Sequence, residues 1–389
     1  MPRQFTWLCT SGALTLLIHI AAAQAEATRP NDDQLVLGQA RPTSTQQSGV
    51  ANLAADRDNL ELAVAVARAA IEQGRKAADP RSYGEAEAAL ATWWNVSDPP
   101  QQVRILRAVI RQANHEFSRA RADLDAVLAV SPRNAQALLS RAFLNLVTGD
   151  IAAAKSDCNV LPFGARGLIR NICLARAAAL SGDGRAAQLL LQRALAADRQ
   201  SPPALRSFAA DVLADISVGL GQRNEAEQLY AAADRTQSAD VATLGAYADF
   251  LLDMDRSAEA LRLLDGRGEQ DALLLRRAIA AKRLGDPRLE SWRGVLNERF
   301  EAAAKAGNRV HLREEAMLRL DVEGDTALAL KLAVQNWALQ KEPADARLLL
   351  RAALSAGESA AAQPVADFIA ATGLNDARVT PLIARLEQK

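Results

Sequence analysis

Apolar and charged positions alternate at helical spacing through most of this chain, and its smallest apolar residues recur in a fixed pattern. They come in pairs twelve positions apart: Ala108 with Ala120, Ala142 with Ala154, Ala175 with Ala187, Ala214 with Ala226, Ala248 with Ala260. Seven positions after the first member of most pairs stands a turn, as in Gly149-Asp150, Gly182-Asp183 and Gly221-Gln222, and Gly285-Asp286 and Gly324-Asp325 continue the series. A glycine ends one helix in the left-handed conformation and the next residue helps to start another, so each unit is predicted to be a helical hairpin. The paired alanines then mark the crossing of its two helices, where only a methyl group lets the axes approach to about 8 Å.

The period is 34 residues from Ala108 to Ala142, 33 from Ala142 to Ala175 and 34 from Ala214 to Ala248. In these features the chain resembles the tetratricopeptide repeat family. The best unit is Gln101 to Asn134, with Arg107-Ala108, Ala120, Leu124, Val127 and Pro132 at that family's small, bulky and proline positions. The next unit carries Arg141-Ala142, Gly149-Asp150, Ala154 and Leu161. The family's early Trp and Tyr are missing, the step from Ala175 to Ala214 is lengthened to 39 residues around Gln200-Ser201-Pro202-Pro203, and that from Ala248 to Ala278 is only 30. The array is therefore read as divergent. The resemblance implies an all-α, right-handed α-solenoid of about eight antiparallel hairpins over residues 53–389. Asp79-Pro80-Arg81, Trp93-Trp94, His311 to Ala316 and Asn336-Trp337 further resemble landmarks of exported bacterial tetratricopeptide proteins of unassigned activity. In the first hairpin, an opening helix from Leu60 to about Gln73 is expected to stop at Gly74, and its partner to begin at Pro80.

Composition agrees with helices. Alanine fills 83 of 389 positions and Phe, Tyr and Trp only 16, a core of methyl groups that suits close-packed helices better than sheets. The 46 basic and 46 acidic side chains balance, which argues against a nucleic-acid partner. Arg3, the apolar stretch Gly12 to Ala23 and Ala23-Gln24-Ala25 have the layout of a secretory signal peptide, residues 1–25, cleaved after Ala25. The apolar stretch is about twelve residues against the roughly 20 that a bilayer core requires, so no membrane span is expected to remain. Residues 26–52 read as a flexible leader. Cleavage removes Cys9 and leaves Cys158 and Cys173, 15 positions apart, an even pair that invites a disulfide in an oxidising compartment.

Chemistry-bearing motifs are sparse. His311 and Glu314 stand one turn apart, yet Glu315 occupies the place where an inverted zincin would carry its second histidine. His115 falls at an interhelical turn beside Glu116, where surface roles are common. Serine-nucleophile, phosphate-loop and dinucleotide motifs are missing from the sequence, so no catalytic residue, metal or cofactor is assigned. Trp93 and Trp94 are expected to close the first core.

A stack of hairpins leaves its first helices facing a concave channel, where peptides and partner helices bind. Carrying the register of Ala142 along the array places Leu139, Phe143 and Leu146 on that face, then Arg176, Asp211 with Asp215, Asp249 with Asp253, Lys282 with Arg283, His311 with Glu314 and Asp321, and Arg347 with Arg351. Four aspartates brought together would accept a basic or amine-bearing segment of a partner protein, or else be solvated or paired with Arg176 and Lys282. The expected function is a noncatalytic, periplasmic or secreted scaffold for a protein or peptide partner in the cell envelope. The alternatives are a cell-wall hydrolase or its accessory subunit, and a structural spacer without a ligand.

Overall fold

A computed structural model of the chain describes residues 44–161, 167–235 and 239–386, all helices and their connections. The expected signal segment 1–25 and residues 26–43 of the expected leader lie outside the described residues. The described helices belong to one compact unit, Arg41–Lys389. A leading helix, α1 (Ser44–Ala55), is followed by α2 (Leu60–Ala77), α3 (Pro80–Ala89) and α4 (Ala91–Trp94), then by the pairs α5 (Gln101–Ala113) with α6 (Phe117–Val130), α7 (Ala135–Thr148) with α8 (Ile151–Val160), and α9 (Gly167–Ala179) with α10 (Gly184–Ala197). Next come α11 (Pro203–Gly219) with α12 (Arg223–Arg235), α13 (Val241–Asp253) with α14 (Ser257–Leu263), and α15 (Asp271–Leu284) with α16 (Leu289–Lys305). α17 (Leu312–Leu318) runs into a π-helical turn, Arg319–Glu323, before α18 (Thr326–Leu339); α19 (Pro343–Ala356), a 3-10 turn at Ser359–Ala362, α20 (Gln363–Thr372) and α21 (Thr380–Leu386) end the chain.

The boundaries follow from local chemistry. Asn59, Asp79, Asn134, Asp150, Asp240 and Asp325 each accept a backbone N–H of the first helical turn that they precede, satisfying donors with no partner inside the helix. Gly149, Gly182, Gly221, Gly285 and Gly324 all have positive φ, between +68° and +87°, as turns after first helices require. α1 covers residues 44–52 of the expected leader. One expectation is corrected here. Gly74 does not stop α2, which continues to Ala77 and ends on Ala78 in the left-handed conformation. Gly74 is small for packing instead, because a Cβ there would lie 3.1 Å from Ser82 Cβ and 3.2 Å from the Tyr83 ring on α3.

Within each pair the helices pack antiparallel. All ten paired alanines, from Ala108 to Ala260, are buried, none more than 1 % exposed. Arg107 on α5 reaches across to Asp123 on α6 at 2.7 and 2.9 Å, and Arg141 on α7 repeats the contact to Asp157 on α8 at 2.7 and 3.0 Å. Between pairs, each first helix packs on the first helix of the next, from α5 through α7, α9, α11, α13 and α15 to α17 and α19, while α6, α8, α10, α12, α14 and α18 each lean on the first helix that follows. The first helices therefore form one continuous face, the arrangement of an α-solenoid. Cys158 of α8 and Cys173 of α9 are joined by a disulfide, with Cα atoms 5.7 Å apart. Trp93 and Trp94 pack against the first core around Leu90.

A leucine at position 142 has no space to enter. Ala142→Leu is expected to destabilise the protein by about 1–3 kcal/mol through overpacking, read as a lower urea midpoint with an unchanged slope.

Candidate functional site

The face made by the first helices is not left open along its length, because the C-terminal helices come back onto it. Lys341 N–H, at the turn between α18 and α19, donates to the Val147 carbonyl at the end of α7, and Gln340 Nε2 lies 3.1 Å from His115 Nε2. Ala377 N–H, in the turn before α21, donates to the Gly219 carbonyl at 2.8 Å. Leu374 enters an apolar pocket formed by Leu146, Ile151, Ala154, Ala177 and Leu180. Two glycines permit this approach. A Cβ on Gly182 would lie 2.3 Å from the Gly373 carbonyl oxygen, and one on Gly219 would lie 2.9 Å from Asp376 Oδ2. These contacts correct the expectation of an uninterrupted concave channel.

Arginine–carboxylate pairs fasten the return. Arg347 and Arg351 project one turn apart from α19. Arg347 makes a two-pronged pair with Asp253 at the end of α13, at 2.5 and 2.7 Å, and Arg351 reaches Asp321 in the π-helical turn. Arg378 bridges Asp215 of α11 at 3.0 Å and Asp376 at 2.6 Å. Glu342 accepts from Arg176 of α9 at 3.2 Å and from Arg313 of α17 at 2.9 Å, and Arg313 also holds the buried Asp345. Burial pushes the Glu342 carboxyl up, but the two arginines outweigh it and hold it below the usual carboxylate range. The same balance, struck by Arg378, keeps Asp376 low.

Between α9, α11, α13 and the returning segment lies a cavity of about 440 Å³. Phe208, Val212, Ile216, Leu220 and Leu374 give it apolar walls. Its charged lining is Asp211, Asp215, Asp240, Glu342 and Asp376 against Arg75, Arg176 and Arg378. Asp240 has Arg75 at 3.4 Å, so four of the five carboxylates have an arginine. Asp211 has none. Its Oδ2 accepts from the Thr243 hydroxyl at 2.9 Å, and that hydroxyl stands 3.1 Å from Asp240 Oδ1 as well. One hydroxyl hydrogen thus serves two carboxylates. Burial pushes the Asp211 carboxyl up to about 6, with Asp240 adding to the effect and Thr243 opposing it.

Of the residues expected on this face, Arg176, Asp211 and Asp215 line the cavity. Phe143 stands beside it, its ring 5.4 Å from the Arg176 guanidinium and 6.2 Å from the Phe208 ring. Asp249 is held away by Arg276 at 2.6 and 2.9 Å. Asp253 belongs to Arg347, so the aspartates do not pair with Arg176 and Lys282 as the sequence was read to allow. Leu139 packs on the core of the α5 to α9 region, Arg283 donates to the Leu252 carbonyl, and Lys282 is exposed. His311 and Glu314 belong to no cluster of metal-ligating side chains among the described residues, and the His311 ring stands 5.9 Å from that of Phe300. His115 is not a surface residue of its turn: it is part-buried beside Gln340, and burial lowers its pKa. Sequence reasoning missed Arg75, Thr243, Asp240, Arg378 and the whole C-terminal wall.

No family model matches the chain, and no curated protein matches it. Among solved structures it is similar to a tetratricopeptide repeat protein from Parabacteroides merdae, at 14% identity and a TM-score of 0.40, covering 74% of this chain and 98% of that one. It is also similar to a Rap protein complexed with competence and sporulation factor, at 13% identity and a TM-score of 0.46, covering 88% and 92%. A third is the Cut9-Hcn1 hetero-tetramer of APC/C, at 13% identity and a TM-score of 0.39, covering 84% and 76%.

The raised Asp211 carboxyl has a measurable consequence for stability. The unfolded chain releases this proton in the ordinary aspartate range and the native state only near pH 6, so the residue's contribution to stability falls as pH rises across that window and stays low above it. Asp211→Asn keeps the shape and the Thr243 contact without the charge. It is expected to match the wild type at acidic pH and to exceed it by on the order of 2 kcal/mol at neutral pH, read from paired denaturant titrations.

Proposed function

We propose that this chain is an exported, noncatalytic interaction scaffold that holds a protein or peptide partner on the face formed by its first helices. The observation that carries the reading is the cavity on that face, in which side chains of α2, α9, α11, α13 and α19 converge around one carboxylate without an arginine. Its rim reaches solvent at Arg75, Asp215, Ala242, Ala344 and Asn375. An apolar interior with a few convergent polar groups is the usual form of a binding site. The disulfide between Cys158 and Cys173 supports export, since such bonds persist in oxidising compartments. The signal-like segment 1–25 supports it independently. Among the described residues no helix is long and apolar enough to cross a membrane.

The reading is tested in cells by placing a photo-crosslinking amino acid at Ala242 or Ala344 on the cavity rim, and at the exposed Val334 on a second helix. Discrete protein adducts are expected from the first two positions and not from the third. Adducts from none, or equally from all three, would remove the scaffold reading. Export has its own measurement: the chain recovered outside the cytoplasm is expected to begin at Glu26.

A further inference from the structure

We propose that the cavity is a recognition site for an organic cation, a guanidinium or ammonium group on an apolar stem, with Asp211 as the carboxylate that receives it. The inference rests on the scaffold reading and narrows it to the chemistry of one anchoring group. Three observations carry it. The first is the missing ion pair: among the described residues no arginine or lysine stands within salt-bridge distance of Asp211, and the Thr243 hydroxyl that donates to it is shared with Asp240. Asp240 has other donors, the Thr243 N–H at 3.0 Å and Arg75. An entering N–H cation would give Asp211 the charge-assisted bond that none of the lining arginines gives it.

The second observation is the charge of the lining, five carboxylates against three arginines, each arginine already engaged by another carboxylate. The third is that packing gives no reason for an aspartate at this position. An asparagine would fill the same volume and keep the Thr243 hydrogen bond without confining a charge, so the carboxylate costs stability without serving packing, as groups that serve binding do. The apolar walls at Phe208, Val212, Ile216 and Leu220 decide what carries the charge. A hard divalent ion takes six or more oxygens, and two carboxylates with one hydroxyl fall short; an alkyl stem matches the walls.

The charged and titratable groups that face Asp211 across the cavity are Arg75 from α2, Arg176 from α9, Asp215 beside it on α11, Tyr230 from α12, Asp240 before α13, Glu342 before α19, and Asp376 and Arg378 from the turn before α21. Glu342 and Asp376 are held low and remain ionised at mildly acidic pH, whereas Asp211 titrates at about 6. A cation that requires the ionised carboxylate therefore binds more weakly as pH falls through that value.

The test is calorimetric titration of the full chain, wild type and Asp211→Asn, with acetyl-Ala-Arg-Phe-Ala-amide, with its citrulline counterpart, which is uncharged at nearly the same shape, and with agmatine. The wild type is expected to bind the arginine peptide at least about tenfold more tightly than the citrulline peptide, and Asp211→Asn to lose about that factor. Asp255→Asn, exposed and outside the lining, is expected to bind as the wild type does. Wild-type affinity for the arginine peptide should also fall by about tenfold between neutral pH and about pH 5, a readout that needs no variant. Agmatine binding as tightly as the peptide assigns the cation to a free amine, and tighter peptide binding assigns it to a protein segment; both support the site. Equal affinity for the arginine and citrulline peptides, or no binding of arginine peptide and agmatine alike, overturns it. Rim cross-links that persist in that case leave the scaffold reading standing, and their absence removes both.

Discussion

Close approach of two helices is possible only where neither carries more than a methyl group at the crossing, and this chain meets that condition in pair after pair. Ala142 and Ala154 are fully buried against one another's helices, as are Ala175 with Ala187 and Ala214 with Ala226. The spacing they fix determines how steeply each pair sits on the next, and so how the face of first helices runs. Methyl-sized contacts also explain the shortage of aromatic residues. A core made at short axial distance has little room for rings, and three of the few present, Tyr230, Tyr247 and Phe250, cluster together between α12 and α13.

The second constraint is the return of the C-terminal helices onto that face. Apolar contact at Leu374 supplies burial, but the geometry is chosen by ion pairs between residues far apart in the chain, Arg176 with Glu342, Arg378 with Asp215 and Arg347 with Asp253. Partly buried pairs of this kind add little net stability, because desolvation offsets their attraction. Their effect is on specificity: a wrongly seated C-terminal segment would leave several charges confined without partners, at a cost of several kcal/mol. The same segment builds one wall of the cavity, so the geometry of the candidate site and the seating of the chain's own end are set by the same contacts.

How much of this was legible in the sequence divides by distance along the chain. The hairpins were readable because a glycine, a cap and two alanines within one unit specify them locally, and Pro80, Pro203 and Pro343 open their helices as their fixed φ predicts. Gly74 was misread because a glycine needed for close packing on Tyr83 has the same appearance as one needed to stop a helix. Arg176, Asp211 and Asp215, which the register puts on one face, line one cavity. The register could not place their partners. Arg378 lies 163 residues from Asp215 and Arg347 lies 94 from Asp253, and nothing local announces such a meeting. The nearest signal was the small-residue pair Gly182 and Gly373, two turns that share a close contact but no motif.

The returning segment also limits what the face can hold. A cavity of about 440 Å³ accommodates one or two side chains and not a helix, so the cavity is suited to anchoring a residue of a larger partner while the rest of that partner lies outside the rim. In such an arrangement affinity concentrates in the few groups that are fully desolvated, and exposed contacts around them contribute complementarity more than energy. Asp211 is the group on this face for which that reasoning matters most. The other carboxylates of the lining have arginines to neutralise them, and a ligand that competed for those would have to break an existing pair. Asp211 is the lining carboxylate that a cation can pair with without displacing an arginine.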